Sequence, residues 1–117
     1  MKQRMIVMNG QRIVESEQAE EKWQIAKVDK AHGIKPGIYN LYTSSQAVKT
    51  TEYAGVILHT DKSTVYQQVG KRIVKHVCLD FNKVPEVGQV KGISYNPQGK
   101  AVVVEAATVK LSQGLAR

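Results

Sequence analysis

Few residues in this 117-residue chain could carry chemistry, and the clearest pair is His76 and Cys78. Side chains two positions apart point to the same side of a strand, and an imidazole beside a thiolate suits zinc. The repeated pair spacing of structural zinc sites is missing, so we predict no metal ion. The simpler interpretation is a buried thiol next to a hydrogen-bonded histidine.

Catalytic motifs are equally scarce. A nucleophile needs a base and an orienting group, and neither a nucleophile elbow nor a thiol-protease signature surrounds Cys78. Carboxylates are scattered, and the glycine-rich phosphate loops are absent. We therefore predict a protein that is not an enzyme and has no cofactor.

Positive charge is the stronger signal. The formal net charge is +7, and residues 31–117 hold eleven basic and five acidic side chains. Single-stranded nucleic acids are held by a positive groove with aromatic rings that stack on bases, and five tyrosines are interleaved with basic residues. The predicted contacts with DNA or RNA are Lys71, Arg72, Lys75, Lys91, Tyr66 and Tyr95. The alternative is a set of half-buried strand tyrosines and solvated lysines.

A protein-binding loop is the competing interpretation. Residues 80–88 form an irregular connection that contains the apolar Phe81, Val84 and Val87. The segment is either an exposed recognition loop or a cap over the core with Phe81 as its plug, and we favour the cap.

Short alternating runs separated by turn residues predict the elements that position these side chains. The expected strands are Ile38–Thr43, Tyr53–His59, Thr64–Val69, Arg72–Val77, Gln89–Tyr95 and Lys100–Glu105. Their regular spacing predicts a mainly β fold: a small antiparallel barrel or strongly curved sheet, SH3-like or OB-like, with at most one or two short helices. Gly55 and Gly92 lie inside strands, where glycine suits a sharp bend.

The beginning of the chain is harder to assign. Residues 15–22 are strongly polar and form either a turn between strands or the start of a helix, capped by Ser16, that runs to about Ala31. The alternation of Trp23–Lys30 favours a strand. We divide the chain into an N-terminal strand and polar segment (1–22), a β-barrel domain (23–105) and a C-terminal tail (106–117).

Cellular context follows from what is missing. No run of 18 apolar residues could span a membrane, the apolar run after the basic start is too short for a signal peptide, and one cysteine cannot form an internal disulfide. We expect a cytoplasmic protein of undetermined oligomeric state.

The block from Tyr53 to Val103 resembles the KfrB-type domain of conjugative bacterial plasmids. It carries a Y-x-G strand, a Q-x-x-G hairpin, a V-x-H strand, a V-P-x-V-G connection and an I-x-Y strand before a glycine turn. The matching residues are Tyr53, Gly55, Gln68, Gly70, His76, Pro85, Gly88, Tyr95 and Gly99. The family commonly has an acidic residue soon after the histidine, whereas Val77 and Cys78 precede Asp80 here.

The resemblance implies a context rather than a reaction. Such domains occur alone or joined to plasmid relaxases and primases, and no catalytic set carries over. Gln68 and His76 are expected to form a polar site, bonded to each other or to a ligand. We predict a non-enzymatic accessory protein of plasmid conjugation or maintenance whose basic β face binds nucleic acid or a nucleoprotein complex. The alternative is an interaction module that recruits a relaxase, partition or host protein without nucleic-acid contact.

Overall fold

The computed structural model describes residues 2–20 and 22–105. The chain divides into two compact units, Met1–Ser44 and a second unit that begins at Ser45. The boundary expected between residues 22 and 23 falls inside a strand, Lys22–Lys30. The expected tail, 106–117, lies outside the described residues. Within the described ranges, no helix combines the length and apolar character needed to cross a membrane.

The first unit is an antiparallel sheet of four strands. These are β1 (Gln3–Met8), β2 (Gln11–Ala19), β3 (Lys22–Lys30) and β4 (Gly37–Tyr39), in the spatial order β3-β2-β1-β4. Asn9 and Gly10 join β1 to β2 with φ values of 53° and 73°. Two consecutive positive φ angles give a tight hairpin whose twist matches the strands, which is why an Asn-Gly pair stands there.

The polar segment that could have been a helix is extended. Ser16 faces Gln3 of β1 and Gln24 of β3, and both neighbouring strands pair with it through their backbones. The alternative prediction of a helix capped by Ser16 is therefore wrong, and the strand favoured for Trp23–Lys30 is confirmed. Tertiary pairing on both sides of β2 outweighs the capping signal of a serine followed by glutamates.

The second unit contains a six-stranded sheet. Its strands are β5 (Ser45–Gln46), β6 (Tyr53–Thr60), β7 (Thr64–Val69), β8 (Arg72–Val77), β9 (Val90–Tyr95) and β10 (Ala101–Glu105). The spatial order is β10-β9-β6-β7-β8-β5. All neighbours are antiparallel except β5, which runs parallel to β8.

The mainly β prediction is confirmed, and β7 and β8 have the predicted bounds. The strand expected at Ile38–Thr43 is only partly right, since β4 ends at Tyr39 and Leu41–Thr43 form a 3-10 turn. Closure into a barrel is not confirmed, because the described sheet has two ends, β10 and β5.

The core of the second unit is built from Ile57, Val65, Phe81 and Ile93. Phe81 is only 9% exposed, so this ring packs inward as the capping interpretation requires. The turn glycines Gly70, Gly88 and Gly99 have φ values of 62°, 90° and 80°. These angles confirm the expectation that the turns need residues tolerant of positive φ.

Candidate functional site

The hairpin of β7 and β8 sorts the candidate residues onto two faces of the six-stranded sheet. Val65 stands opposite His76, and Gln67 stands opposite Val74, on the face that carries the core. Tyr66 stands opposite Lys75, and Gln68 stands opposite Ile73, on the other face. We call these the inner and outer faces. Because side chains alternate along a strand, sequence neighbours end in different environments.

A chain of hydrogen bonds crosses the inner face. The two ring nitrogens of His76 contact Gln67 Oε1 at 2.9 Å, through Nε2, and the Tyr95 hydroxyl at 2.6 Å, through Nδ1. Gln67 and His76 are 0% and 1% exposed. The three residues, from β7, β8 and β9, form what we call the buried triad.

The surroundings of the amide fix the proton positions in the buried triad. Gln67 Nε2 lies 2.9 Å from the carbonyl oxygen of Lys91 and 3.2 Å from that of Gly55, so this atom is the donor and Oε1 the acceptor. His76 must then donate from Nε2 to Gln67. A neutral ring is left with Nδ1 as an acceptor, which receives the proton of the Tyr95 hydroxyl. Every polar group of the buried triad is thereby satisfied with His76 uncharged.

Burial governs the acid–base behaviour of the buried triad. Loss of solvation lowers the pKa of His76 from 6.5 to about 4, although the charge of Asp80 acts in the opposite direction. Burial also raises the pKa of Tyr95 to about 12, assisted by the nearby Asp80 and Tyr53. Near neutral pH both side chains are uncharged, so the buried triad is a structural hydrogen-bond network rather than an acid–base pair poised to react.

A lysine closes the network at the surface. Lys49 Nζ lies 3.2 Å from Asp80 Oδ2, 3.0 Å from the carbonyl oxygen of Gly99 and 5.5 Å from the centre of the Tyr95 ring. The ammonium group is thus shared between a carboxylate, a turn carbonyl and an aromatic face. Asp80 is the acidic residue that follows the V-x-H histidine at a longer distance, and it still acts electrostatically on His76.

The expected polar pair of Gln68 and His76 does not form. The partner of His76 is Gln67, since Gln68 points to the outer face. The Q-x-x-G spacing counted back from Gly70 ends at Gln67, so the motif contained the correct assignment. Sequence reasoning also missed Lys49 as a partner of Tyr95.

The residues expected to bind nucleic acid are divided between the faces. Tyr95 and Lys91 belong to the inner face, where Tyr95 bonds His76 and Lys91 pairs with Glu105. Tyr66 and Lys75 face each other on the outer face. Lys71 lies in the connecting turn, and Arg72 begins β8; both side chains are exposed. The structure therefore brings together four of the six: Tyr66, Lys71, Arg72 and Lys75, which we call the basic hairpin.

The ring of Tyr66 is supported from the neighbouring strand. His59 of β6 stacks on it with ring centres 6.1 Å apart and planes 24° from parallel. Burial raises the pKa of the Tyr66 hydroxyl, and the charge of Asp61 adds to the effect. The residue as a whole is half-buried.

The lone cysteine is not part of a metal-ligand group. Within residues 2–20 and 22–105, no cluster of three or more His, Cys, Asp or Glu side chains could hold a metal ion. Cys78 lies just beyond β8 in a 3-10 turn, with its sulfur 3.4 Å from the carbonyl oxygen of Asp61. Burial and the charge of Asp61 raise the pKa of this thiol, which disfavours the reactive thiolate.

An apolar row on the four-stranded sheet escaped the sequence analysis. Backbone register aligns one residue from each strand on the same face, in the order Ile38, Ile6, Ile13 and Val28. Ile38 is 64% and Val28 50% exposed, and the middle two are half-buried. We call this the isoleucine row. The pattern becomes visible only when the pairing of all four strands is known.

Comparison with known proteins places this geometry in a family. Residues 52–105 match the KfrB Domain model, a range that contains the basic hairpin and the buried triad. Protein TraB of Escherichia coli is 35% identical over 103 residues, an alignment that covers 85% of this chain and 70% of that protein. The resemblance expected from the motifs is thereby confirmed, and the chain belongs to the KfrB-domain family.

Proposed function

We propose that this chain is a non-enzymatic accessory protein of plasmid conjugation or maintenance that contacts nucleic acid through the basic hairpin. The plasmid context rests on membership of the KfrB-domain family and on the similarity to Protein TraB. The mode of contact rests on the geometry of the six-stranded sheet, because the β7–β8 hairpin carries Lys71, Arg72 and Lys75 together with Tyr66.

The single observation that carries the proposal is the arrangement around Tyr66 and Lys75. The half-buried Tyr66 stands directly across the strand pair from Lys75, and two more cations follow at the turn. Between Thr64 and Val77 the sequence contains three basic residues and no acidic one. Rings that stack on bases beside cations that reach phosphates are the usual components of single-strand binding surfaces.

The test is a binding titration against single-stranded DNA, duplex DNA and RNA across a salt series. Replacing Lys71, Arg72 and Lys75 together by alanine removes three phosphate contacts. The slope of log affinity against log salt concentration should then become less steep by about two to three units. Fluorescence anisotropy with labelled oligonucleotides measures both quantities.

A matched control removes the same charge elsewhere. Lys22, Lys27 and Lys30 lie on β3 of the other unit and are exposed. Their triple alanine variant should lower affinity only through the reduced net charge. Equal losses in the two variants, or no binding by the unaltered protein at low salt, would contradict the proposal.

A second candidate function is a protein-interaction module that recruits a relaxase, a partition protein or a host protein. The isoleucine row favours it, because exposed apolar clusters on small domains commonly mark protein interfaces. The double variant Ile38→Lys, Val28→Lys should abolish salt-resistant retention of a plasmid-encoded partner in pull-downs. Replacing the exposed Thr43 and Gln46 by lysine is the control, and retention unchanged by the Ile38 and Val28 substitutions would remove this candidate.

A further inference from the structure

The free edge of the six-stranded sheet has the properties of a peptide-binding strand. β10 is the last strand of that sheet, and no described residue pairs with its outer side. Asn96 N donates to the carbonyl oxygen of Lys100 at 2.9 Å, which sets the alternation of the β9–β10 ladder. Val102 and Val104 therefore bond towards β9, whereas the N–H and C=O groups of Ala101 and Val103 point away from the sheet.

Two cavities lie beside this edge. One, of about 330 Å³, is bounded by Phe81, Asn82 and Lys83 on one side and Ala101–Val103 on the other. The second, of about 320 Å³, is bounded by Lys83–Glu86, Gln89, Lys91 and Val103. Lys83 and Val103 line both, so the cavities follow one another along β10. An extended chain added to the edge would place alternate side chains towards this track.

The charge of the track selects the sign of its occupant. Lys83 and Lys100 line it, and neither has a carboxylate within ion-pair distance in the described part of the chain. Lys91, at the far end, is already paired with Glu105. Glu86 is the acidic residue in the lining. The walls also include Phe81, Val84 and Val103, so apolar side chains of an occupant would find apolar contacts.

We propose that β10 and the two cavities beside it bind an extended acidic segment of a partner protein by strand addition. Main-chain hydrogen bonds to Ala101 and Val103 would give affinity, and Lys83 and Lys100 would give the preference for carboxylates. The site lies on strands other than the basic hairpin and does not depend on it. Its occupant is a peptide, because a nucleic acid has no backbone N–H groups to continue a ladder.

The experiment uses the full chain and two labelled peptides of about ten residues, one alternating valine with glutamate and the other alternating valine with lysine. Fluorescence anisotropy should show binding of the acidic peptide only. In NMR spectra, the amide signals that shift on binding should be confined to residues 81–91 and 100–105. The double variant Lys83→Glu, Lys100→Glu should bind the acidic peptide at least about tenfold more weakly and should bind the lysine peptide. The matched control is Lys35→Glu, Lys62→Glu, which changes the net charge equally at exposed positions outside the strands.

The strand-addition step is tested separately. Ala101→Pro removes an edge N–H without removing a ladder bond, so the sheet should survive and peptide affinity should fall by about tenfold. An acidic peptide N-methylated at alternate residues gives the same test without altering the protein. Oligonucleotide affinity should be unchanged by Ala101→Pro. The proposal would be overturned by equal binding of both peptides or by full affinity of the methylated peptide. Loss of self-association in Ala101→Pro would also overturn it, because that result would assign the edge to a second copy of the chain.

Discussion

The inner and outer faces of the six-stranded sheet use the same residue types for opposite purposes. Tyr95, on the inner face, hydrogen-bonds His76 through its hydroxyl, and the ammonium group of Lys49 lies over its ring. Tyr66, on the outer face, stacks on His59 and stands opposite Lys75. The comparison shows that a tyrosine near a lysine is not yet a binding surface. The side of the strand decides whether its polar atoms are already engaged.

The two faces also differ in what a substitution should disturb. In the described residues, no buried side-chain nitrogen or oxygen lacks a hydrogen-bond partner. Satisfied buried networks hold a fold in one register, and breaking one partner leaves the others unsatisfied in an apolar environment. Changes on the inner face should therefore act on stability, and changes on the outer face should act on binding.

The largest effect is expected at Gly55, where the inner face has no room. A Cβ at this position would stand 1.7 Å from the carbonyl oxygen of Gln68 and 2.8 Å from its carbon. Both are backbone atoms of the neighbouring strand, so Gly55→Ala must push β6 and β7 apart. We expect a loss of about 4 kcal/mol or failure to fold, at the upper end for overpacking. Urea denaturation measures it, and Gly10→Ala serves as the control for backbone strain, since open space surrounds that glycine.

The next effect contrasts two adjacent residues of β8. His76→Ala removes a buried ring and leaves Gln67 Oε1 and the Tyr95 hydroxyl without their hydrogen-bond partner. The free energy of unfolding should fall by about 3 to 4 kcal/mol. Lys75→Ala should change stability by less than about 0.5 kcal/mol, because its side chain faces outward. Denaturant midpoints of the two variants compare the faces directly. Similar losses in both would mean that the division between the faces is wrong.

A third prediction concerns pH. The pKa of His76 is about 4 in the folded chain and 6.5 without burial, so the unfolded chain binds more protons between these values. Stability is thus fully present above pH 6.5, declines as the pH falls towards 4, and changes no further through this group below that. The total is about 3 kcal/mol. Unfolding curves at several pH values measure it, and His76→Gln should lack this share of the decline.

The strands of this fold were readable from the sequence because glycine turns delimit them. Gly70 stands between two alternating runs, and the observed ends of β7 and β8 coincide with those runs. The contribution of each strand to a face was less accessible. The register shifts between Ile57 and His59, so counting by twos from Tyr53 gives the wrong face for His59.

Partnerships between distant strands could not be predicted at all. The buried triad needs three strands in one register, and the isoleucine row needs four. Periodicity within one strand indicates which residues alternate, but it carries no information on which neighbour each will meet. Gln67 and Gln68 have the same chemistry, and only the face decides which of them bonds His76.

The smallest effect separates the two tyrosines by a single oxygen atom. Tyr95→Phe deletes the donor to His76 Nδ1 and leaves that acceptor unsatisfied beside the core, which should cost about 1 to 2 kcal/mol. Tyr66→Phe keeps a stacking ring and should leave both stability and single-strand affinity within about 0.5 kcal/mol. Tyr66→Ala, which removes the ring, should weaken single-strand binding by about 1 to 3 kcal/mol. Calorimetric unfolding and anisotropy on the same three variants separate these effects. A hydroxyl that is fully engaged with His76 contributes nothing to a base stacked on the opposite face. If Tyr95→Phe and Tyr66→Ala weakened nucleic-acid binding equally, Tyr95 would therefore belong to the nucleic-acid surface.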